Sequence, residues 1–272
     1  MRNPVLDNVL PPILRTIYSR LRGGTTFKGA YRSWDHALQD ASGYDLESIV
    51  DKVAAAQMKV LKGEAAYERD SVIFDEIEYS WPLLASLLWI AARSDGCLRV
   101  ADFGGSLGSS YYQNRKFISH LRELRWGIVE QTRFVERGKK FFENDHLKFF
   151  EQLVHCETAI RPNAILFSSS LSYIPNPYDV LKSVLKGTIQ FVIVDATLFT
   201  EEEDDRLCVQ KVDPSIYEAS YPCWLMSRKK FLNFMTQHFS VVEEFDAHGG
   251  AQISVQGSVA TFRGFLLERI SP

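Results

Sequence analysis

The chain lacks paired cysteines, long apolar runs and a signal-peptide pattern, three features that would identify its class of protein directly. Its four cysteines, Cys97, Cys156, Cys208 and Cys223, are widely spaced and form no C-x-x-C pair. Neither a zinc site nor a disulfide framework is therefore predicted, and a reducing cytoplasm is the expected location. No apolar run reaches the roughly 18 residues of a membrane span, and the N-terminus has no signal-peptide pattern.

Neither sign of charge dominates the chain. Its 31 Lys and Arg residues stand against 34 Asp and Glu residues, for a net charge of -3 and a pI near 6.1. Such a chain offers no broad cationic field for a phosphate backbone, which disfavours a nucleic-acid partner. With 46% hydrophobic residues over 272 positions, it is predicted to build one large core.

The first part of the chain is predicted to be mainly helical and to form an extension or cap over residues 1–95. Residues 9–22 place apolar side chains at helical spacing, with arginines on the other face. Docking on the body of the protein or on a partner subunit is the favoured interpretation, and peripheral contact at the inner face of a membrane is the alternative. Further helices are predicted over residues 45–62 and 81–93.

From residue 96 onward, buried strands alternate with helices. Strands are predicted at 98–103, 126–129, 147–150, 164–168 and 191–194, and helices at 109–123, 132–142 and 177–185. This alternation is typical of a parallel sheet with right-handed crossovers. After a long segment at 196–225, which we expect to form an acceptor-side insertion, a helix is predicted at 227–238.

The end of the chain changes pattern. Two strand-like runs, 239–245 and 262–269, are joined by Gly-, Ser- and Gln-rich residues instead of a helix, so they should pair antiparallel. A mainly parallel seven-stranded sheet with an antiparallel last strand is the Rossmann-like class I methyltransferase fold. That fold is predicted for residues 96–272.

A glycine-rich loop, Gly104-Gly105-Ser106-Leu107-Gly108, follows the first strand of this region and opens a helix. Small residues let backbone amides approach a ligand closely. A dinucleotide-binding G-x-G-x-x-G would need glycine at Ser106 and Ser109. The chain matches the D-x-G-x-G-x-G-like loop of methyltransferases except at Ser106.

Two carboxylates favour the methyltransferase interpretation. Asp102, at the tip of the first strand, suits a ligand with an ammonium and a sulfonium and would repel a pyrophosphate. Glu130, at the tip of the second strand, can accept hydrogen bonds from both ribose hydroxyls. S-adenosylmethionine is therefore the predicted cofactor, and no metal is expected. The predicted cofactor site comprises Asp102, Gly104, Gly105, Ser106, Gly108, Glu130, Gln131, Phe150, Glu151, Ser168 and Ser169.

Four longer strings make the sequence similar to a known family. They are Glu68–Ser71, Asp102–Tyr111, Val129–Gln131, and Gln210–Val212 with Ile216–Pro222. From about Phe27 to its end, the chain resembles a poorly characterised bacterial family of S-adenosylmethionine-dependent methyltransferases. The resemblance implies a link to cell-surface polysaccharide synthesis. The family tends to carry arginine and proline after the fifth-strand aspartate, where this chain has Asp195-Ala196-Thr197-Leu198, so a different acceptor or impaired activity is one hypothesis.

The acceptor should lie outside the carboxyl ends of the strands. Tyr217, Tyr221 and Trp224 could stack on a sugar ring or another flat substrate face, or could anchor a long connection. Three residues are candidates for catalysis.
Asp195 and His248 could remove a proton, and Tyr173 could face the sulfonium or position an acceptor hydroxyl.

Three functions are compatible with these residues. A methyltransferase acting on a small molecule or glycan, at oxygen, is preferred. A non-catalytic nucleotide-binding module in a surface-polysaccharide assembly complex is the second hypothesis. An NAD-dependent oxidoreductase is the third, and Ser106 and Ser109 disfavour it. The sequence does not predict the oligomeric state.

Overall fold

The computed structural model describes residues 24–41, 46–214 and 219–270. The predicted amphipathic helix at 9–22 lies outside these residues. The strands are β1 (Thr26–Tyr31), β2 (Tyr67–Arg69), β3 (Val72–Phe74), β4 (Cys97–Phe103), β5 (Glu123–Val129), β6 (Leu147–Phe150), β7 (Ala164–Ser168), β8 (Phe191–Thr200), β9 (Arg206–Lys211), β10 (Ser220–Ser227), β11 (Phe239–Asp246), β12 (Gln252–Val255) and β13 (Ser258–Arg269). The helices are α1 (Trp34–Asp40), α2 (Leu46–Leu61), α3 (Trp81–Arg93), α4 (Ser109–Ile118), α5 (Thr132–Phe141), α6 (Leu153–Ile160), α7 (Pro177–Lys186) and α8 (Arg228–Met235).

A mostly parallel sheet forms the centre of the molecule. Among the described residues its seven main strands follow the order β6-β5-β4-β7-β8-β13-β11. The pairs from β6 to β8 are parallel, while β13 runs antiparallel to both β8 and β11. This order, with an antiparallel last strand between the fifth and sixth, confirms the predicted Rossmann-like class I methyltransferase fold.

Alternate residues of the central strands enter two separate hydrophobic layers. Val100 of β4 packs with side chains of α2, α3, α4 and α5 on one face. Its neighbour Ala101 packs with side chains of α6, α7 and α8 on the other. The same alternation holds for Ile165 and Leu166 in β7. Because helices cover both faces of the sheet, the central strands are mainly apolar along their length.

A second group of strands continues from the carboxyl end of β8. The pairing of β7 with β8 ends at Ser168 and Asp195. Beyond that point β10 takes the place of β7 beside β8, at Phe199 and Thr200. β9 and β1 follow β10 in antiparallel order. The segment at 196–225 therefore consists largely of paired strands, which extend the sheet beyond the carboxyl ends of the parallel strands.

The N-terminal part contains strands that the helical pattern did not reveal. β1 joins the sheet through β9, and β2 pairs with β3 in a hairpin. Helices α2 and α3 occur close to their predicted bounds. The division into residues 1–95 and 96–272 stays a prediction.

Candidate functional site

Gly104, which opens the glycine-rich loop, lies against the segment that follows β7. Gly104, Ser106 and Gly108 all have positive φ angles, of 74°, 54° and 98°. A Cβ on Gly104 would lie 2.6 Å from the Cβ of Ser170, which follows β7. Glycine is thus required at position 104 both by its backbone conformation and by the close approach of the two strand ends.

Asp102 lies beneath this loop and is fully buried. Its Oδ2 accepts a hydrogen bond from the indole N–H of Trp126 in β5, at 3.0 Å. Its Oδ1 has no hydrogen-bond partner among the described residues. A Cβ on Gly105 would meet the carboxyl carbon at 2.5 Å, so the loop packs onto the carboxylate. Burial raises the pKa of Asp102 to about 7.

Glu130 connects the loop to the end of β5. Its Oε2 accepts the backbone N–H of Gln131 at 2.7 Å, and the backbone N–H of Ser106 also donates to its carboxylate. The side chain is partly enclosed, and desolvation raises its pKa. Glu130 therefore stands beside the loop, one strand away from Asp102.

The next predicted residues lie at the end of β6. Phe150 is half-buried and packs with the apolar layer that contains α6, and its backbone carbonyl accepts the N–H of Glu130. Glu151 is exposed and accepts a hydrogen bond from the hydroxyl of Thr132, at 3.2 Å. Both residues therefore neighbour Glu130 along the same edge.

Ser168, Ser169 and Asp195 meet where the pairing of β7 with β8 ends. The hydroxyl of Ser168 donates to Oδ2 of Asp195 at 3.0 Å, and the backbone N–H of Ser169 donates to the Asp195 carbonyl. Asp195 is 1% exposed, and its Oδ1 has no partner among the described residues. Burial raises its pKa, against the opposing effect of Arg69 and Ser168.

Three residues at this edge of the sheet have strained backbone conformations. Ser106, Ser169 and Ala196 are not glycines, yet they have φ angles of 54°, 54° and 50°. Such conformations are costly and tend to persist at functional sites. At Ala196 the strained residue directly follows Asp195 in β8.

The β2–β3 hairpin adds two residues, Glu68 and Arg69, that the sequence patterns do not assign to the site. The guanidinium of Arg69 donates to the hydroxyls of Ser168 and Ser169, at 3.2 and 3.3 Å. Glu68 is buried and accepts a hydrogen bond from the Ser109 hydroxyl at the start of α4. The hairpin thus spans from the glycine-rich loop to the end of β7. In the sequence, the only indication that this hairpin belongs to the site is that Glu68–Ser71 is one of the strings shared with the similar family.

The site holds more buried acids than bases. Desolvation raises the pKa of Glu68 to about 7 and raises those of Glu130 and Asp195 as well as that of Asp102. Burial alone would lower the pKa of Arg69, but the neighbouring Tyr67 and acidic side chains raise it overall, so this cation stays charged. A ligand with positive charge would relieve the excess of buried carboxylates.

The predicted acceptor residues lie on or near the strands above the site. The hydroxyl of Tyr173 donates to Oε1 of Gln210 at 2.8 Å, and its ring packs edge-on against Tyr221. Trp224 stacks with Trp34 of α1, with ring centroids 6.3 Å apart. Tyr217 lies outside the described residues. Tyr173 and Tyr221 are therefore brought together, while Trp224 packs with a residue of α1.

His248 lies in a different place from the carboxylates. It begins a short turn after β11, and its ring packs edge-on against Phe262 of β13 at 5.2 Å. In the sheet, β13 separates β11 from β8. His248 is therefore on the opposite side of β13 from Asp195.

The described residues include neither a cluster of metal ligands nor a membrane-spanning helix. Within residues 24–41, 46–214 and 219–270, no group of three or more His, Cys, Asp and Glu side chains is arranged to hold a metal ion. None of the helices in these same ranges is both long enough and apolar enough to cross a membrane.

The comparisons with known proteins concern the fold. No family model matches the chain, and no curated protein matches it significantly. It is similar to the N-terminal domain of EvdMO1, crystallised with SAH and D-fucose, at 12% identity and a TM-score of 0.49, covering 84% of this chain and 98% of that one. It is also similar to the glycopeptide N-methyltransferase MtfA complexed with SAM (11% identity, 70% and 94% covered, TM-score 0.44). A third is SAM-bound CalS10, an amino pentose methyltransferase from Micromonospora echinaspora (10% identity, 71% and 92% covered, TM-score 0.43). At such values the function has to be inferred from this chain's own residues.

Proposed function

We propose that the protein is an S-adenosylmethionine-dependent methyltransferase that modifies an oxygen atom of a small molecule or glycan. The observation that carries this proposal is the group of desolvated carboxylates at the carboxyl edge of the parallel strands: Asp102 near the end of β4, Glu130 directly after β5, and Asp195 where the pairing of β7 with β8 ends. S-adenosylmethionine carries a sulfonium and an ammonium, so it matches the excess negative charge.

The residues fit the parts of this ligand in order along the edge. Glu130, at the end of β5, is placed to accept hydrogen bonds from the ribose hydroxyls. Phe150, beside it at the end of β6, offers an apolar edge for adenine. The glycine-rich loop over β4 and the serines after β7 would then hold the methionine part. When bound, the ligand would supply an electrophilic methyl group.

The same site is unfavourable for a dinucleotide. A pyrophosphate near the loop would face Asp102 and Glu130, which are of like charge. The position of the last glycine in the dinucleotide pattern is Ser109, whose hydroxyl donates to Glu68. A third carboxylate, that of Glu68, therefore lies at the helix N-terminus where a phosphate would have to bind.

Asp195 is the better placed of the two candidate bases. Methyl transfer to a hydroxyl joins the oxygen to the methyl carbon as the sulfur–carbon bond breaks, and the hydroxyl proton must be accepted by a base. Oδ1 of Asp195 has no partner among the described residues, and Ser168 holds Oδ2. His248 stands on the other side of β13, so we assign the base to Asp195.

The acceptor is proposed to bind between the strand ends and the β1-β9-β10 strands. Tyr173 and Tyr221 form an aromatic pair there, which suits a sugar ring or another flat, partly apolar face. A glycan acceptor from a surface polysaccharide is the part of the proposal that rests on the sequence resemblance.

A non-catalytic nucleotide-binding module is the second candidate. It is favoured by one observation, Ala196 at the position where the similar family tends to carry arginine. Such a module would keep the donor pocket and lose turnover.

Isothermal titration calorimetry tests the donor assignment. The full chain should bind S-adenosylmethionine and S-adenosylhomocysteine, and should bind NAD far more weakly. Absence of binding to both adenosyl ligands by folded protein would contradict the proposal. Formation of S-adenosylhomocysteine with a panel of sugars, lipids and carboxylates would then separate an enzyme from a binding module.

A further inference from the structure

The β2–β3 hairpin places two hydrogen-bond donors over the same strand ends. Tyr67 and Arg69 are alternate residues of β2 and therefore point to one side of it, whereas Glu68 points to Ser109. Arg69 reaches the hydroxyls of Ser168 and Ser169. Both Arg69 and Tyr67 interact electrostatically with Asp195.

These two donors have hydrogen-bonding capacity to spare. Tyr67 is only 2% exposed, and its buried hydroxyl has no hydrogen-bond partner among the described residues. A guanidinium carries five N–H donors, and the two serines use one terminal nitrogen of Arg69. Because a buried polar group without a partner is costly, a bound group that accepts hydrogen bonds is expected there.

The group that accepts these hydrogen bonds should be anionic, and the ligand that carries it should also have a positively charged group. The nearby carboxylates Asp195 and Glu68 would repel a purely anionic molecule. An amino acid group resolves the conflict, because the positive charge of its ammonium offsets the repulsion while its carboxylate faces the guanidinium. Arginine also matches a carboxylate geometrically, through two parallel hydrogen bonds.

We propose that Tyr67 and Arg69 bind the α-carboxylate of the methionine part of the donor. This inference rests on the proposed function. If Glu130 binds the ribose and the ligand lies along the loop at Gly104, the amino acid end would be near Ser168 and Ser169, to which Arg69 donates. The carboxylate subsite is thus supplied by a hairpin outside the region of alternating strands and helices.

The subsite predicts a specific preference that can be measured without knowing the methyl acceptor. S-adenosylhomocysteine is compared with its decarboxylated analogue, in which hydrogen replaces the carboxylate. The wild-type protein should bind S-adenosylhomocysteine about tenfold or more tightly than the analogue. In Arg69→Gln that preference should largely disappear, because only the ligand with a carboxylate loses an interaction.

Two further variants keep the test independent of folding. Tyr67→Phe removes one hydroxyl and preserves the ring that stacks on Phe74, so it should reduce the preference by a smaller factor. Ile73→Thr changes an exposed residue of the same hairpin and should leave both affinities unchanged. Circular dichroism verifies that each variant is folded.

The outcomes are distinct. Equal losses of affinity for both ligands in Arg69→Gln would show that the hairpin only supports the fold, and would overturn the subsite. An unchanged preference would overturn it as well and would assign Arg69 to another ligand. Failure of the wild type to bind either ligand would instead contradict the proposed function itself.

Discussion

The indole N–H of Trp126 donates a hydrogen bond of 3.0 Å to the carboxylate of Asp102, across the neighbouring strands β5 and β4. Both residues are completely buried. The bond holds one oxygen of Asp102 in place and leaves the other without a partner among the described residues. The structure thereby keeps a desolvated carboxyl group under the glycine-rich loop, next to the proposed donor site.

Asp102 should make the stability of the ligand-free protein depend on pH. Its pKa is about 7, against an ordinary value of 3.8, so the folded state holds the proton more tightly than the unfolded state. The free energy of unfolding should therefore fall as the pH rises from about 4 to about 7, and then level off. Urea denaturation at several pH values measures this slope.

Asp102→Asn should reduce that slope, since the amide oxygen can still accept the Trp126 hydrogen bond but does not titrate. Glu68, whose pKa is also about 7, accounts for a remaining part. Asp95→Asn, the same chemical change at an exposed residue, is the control. An identical slope in wild type and Asp102→Asn would show that the carboxyl group titrates normally.

The affinity for S-adenosylmethionine should change with pH in the opposite sense. A cationic group near Asp102 stabilises the carboxylate, so binding should tighten as the pH rises towards about 7. Calorimetry across this range measures the effect, and Asp102→Asn should flatten it. Weaker binding at the higher pH would contradict a cationic ligand.

Glu130→Ala should weaken donor binding by about 1–3 kcal/mol, through loss of hydrogen bonds to a charged group. The control is Glu136→Ala, which removes an exposed carboxylate from α5 and should leave the affinity unchanged. Calorimetry with S-adenosylhomocysteine compares the two. Equal affinities in wild type and Glu130→Ala would place the ribose elsewhere.

Gly104→Ala should destabilise the protein more than a left-handed backbone alone explains. Gly104 and Gly63 both have a φ of 74°, but a Cβ on Gly63 would meet no atom within 4 Å, whereas one on Gly104 would lie 2.6 Å from Ser170. Gly63→Ala should cost about 1–2 kcal/mol, and Gly104→Ala distinctly more. Chemical denaturation measures both.

Removing the opposing atom provides the check. Ser170→Gly in the Gly104→Ala background should recover the part of the loss that comes from crowding. If the single variants Gly104→Ala and Gly63→Ala proved equally stable, the close approach of the loop to Ser170 would be refuted.

Tyr173→Phe should lower the free energy of unfolding by about 1 kcal/mol, because it removes the hydrogen bond to Gln210. Donor affinity should stay the same, since that hydroxyl is directed to β9. Tyr178→Phe, which removes a hydrogen bond to Asp205, is a matched control for stability. A large loss of S-adenosylhomocysteine affinity in Tyr173→Phe alone would instead place its hydroxyl at the donor.

Local sequence determined most of the central sheet. The apolar runs and helical periodicities of residues 96–195 predicted β4, β6, β7 and α5 within a residue of their ends. The reason is physical: strands buried on both faces must be apolar throughout, and the loop between β4 and α4 needs glycine at positive φ. The two terminal runs were also correctly expected to pair antiparallel.

Tertiary structure alone decided how distant segments complete the site. β1, β2 and β3 have only six, three and three residues, too few for a clear periodicity, and they become strands by pairing with β9 or with each other. Arg69 meets Ser168 and Ser169 across about a hundred residues, which no local pattern can reveal. The sequence therefore determined where the glycine-rich loop lies, whereas long-range packing decided which charged side chains surround it.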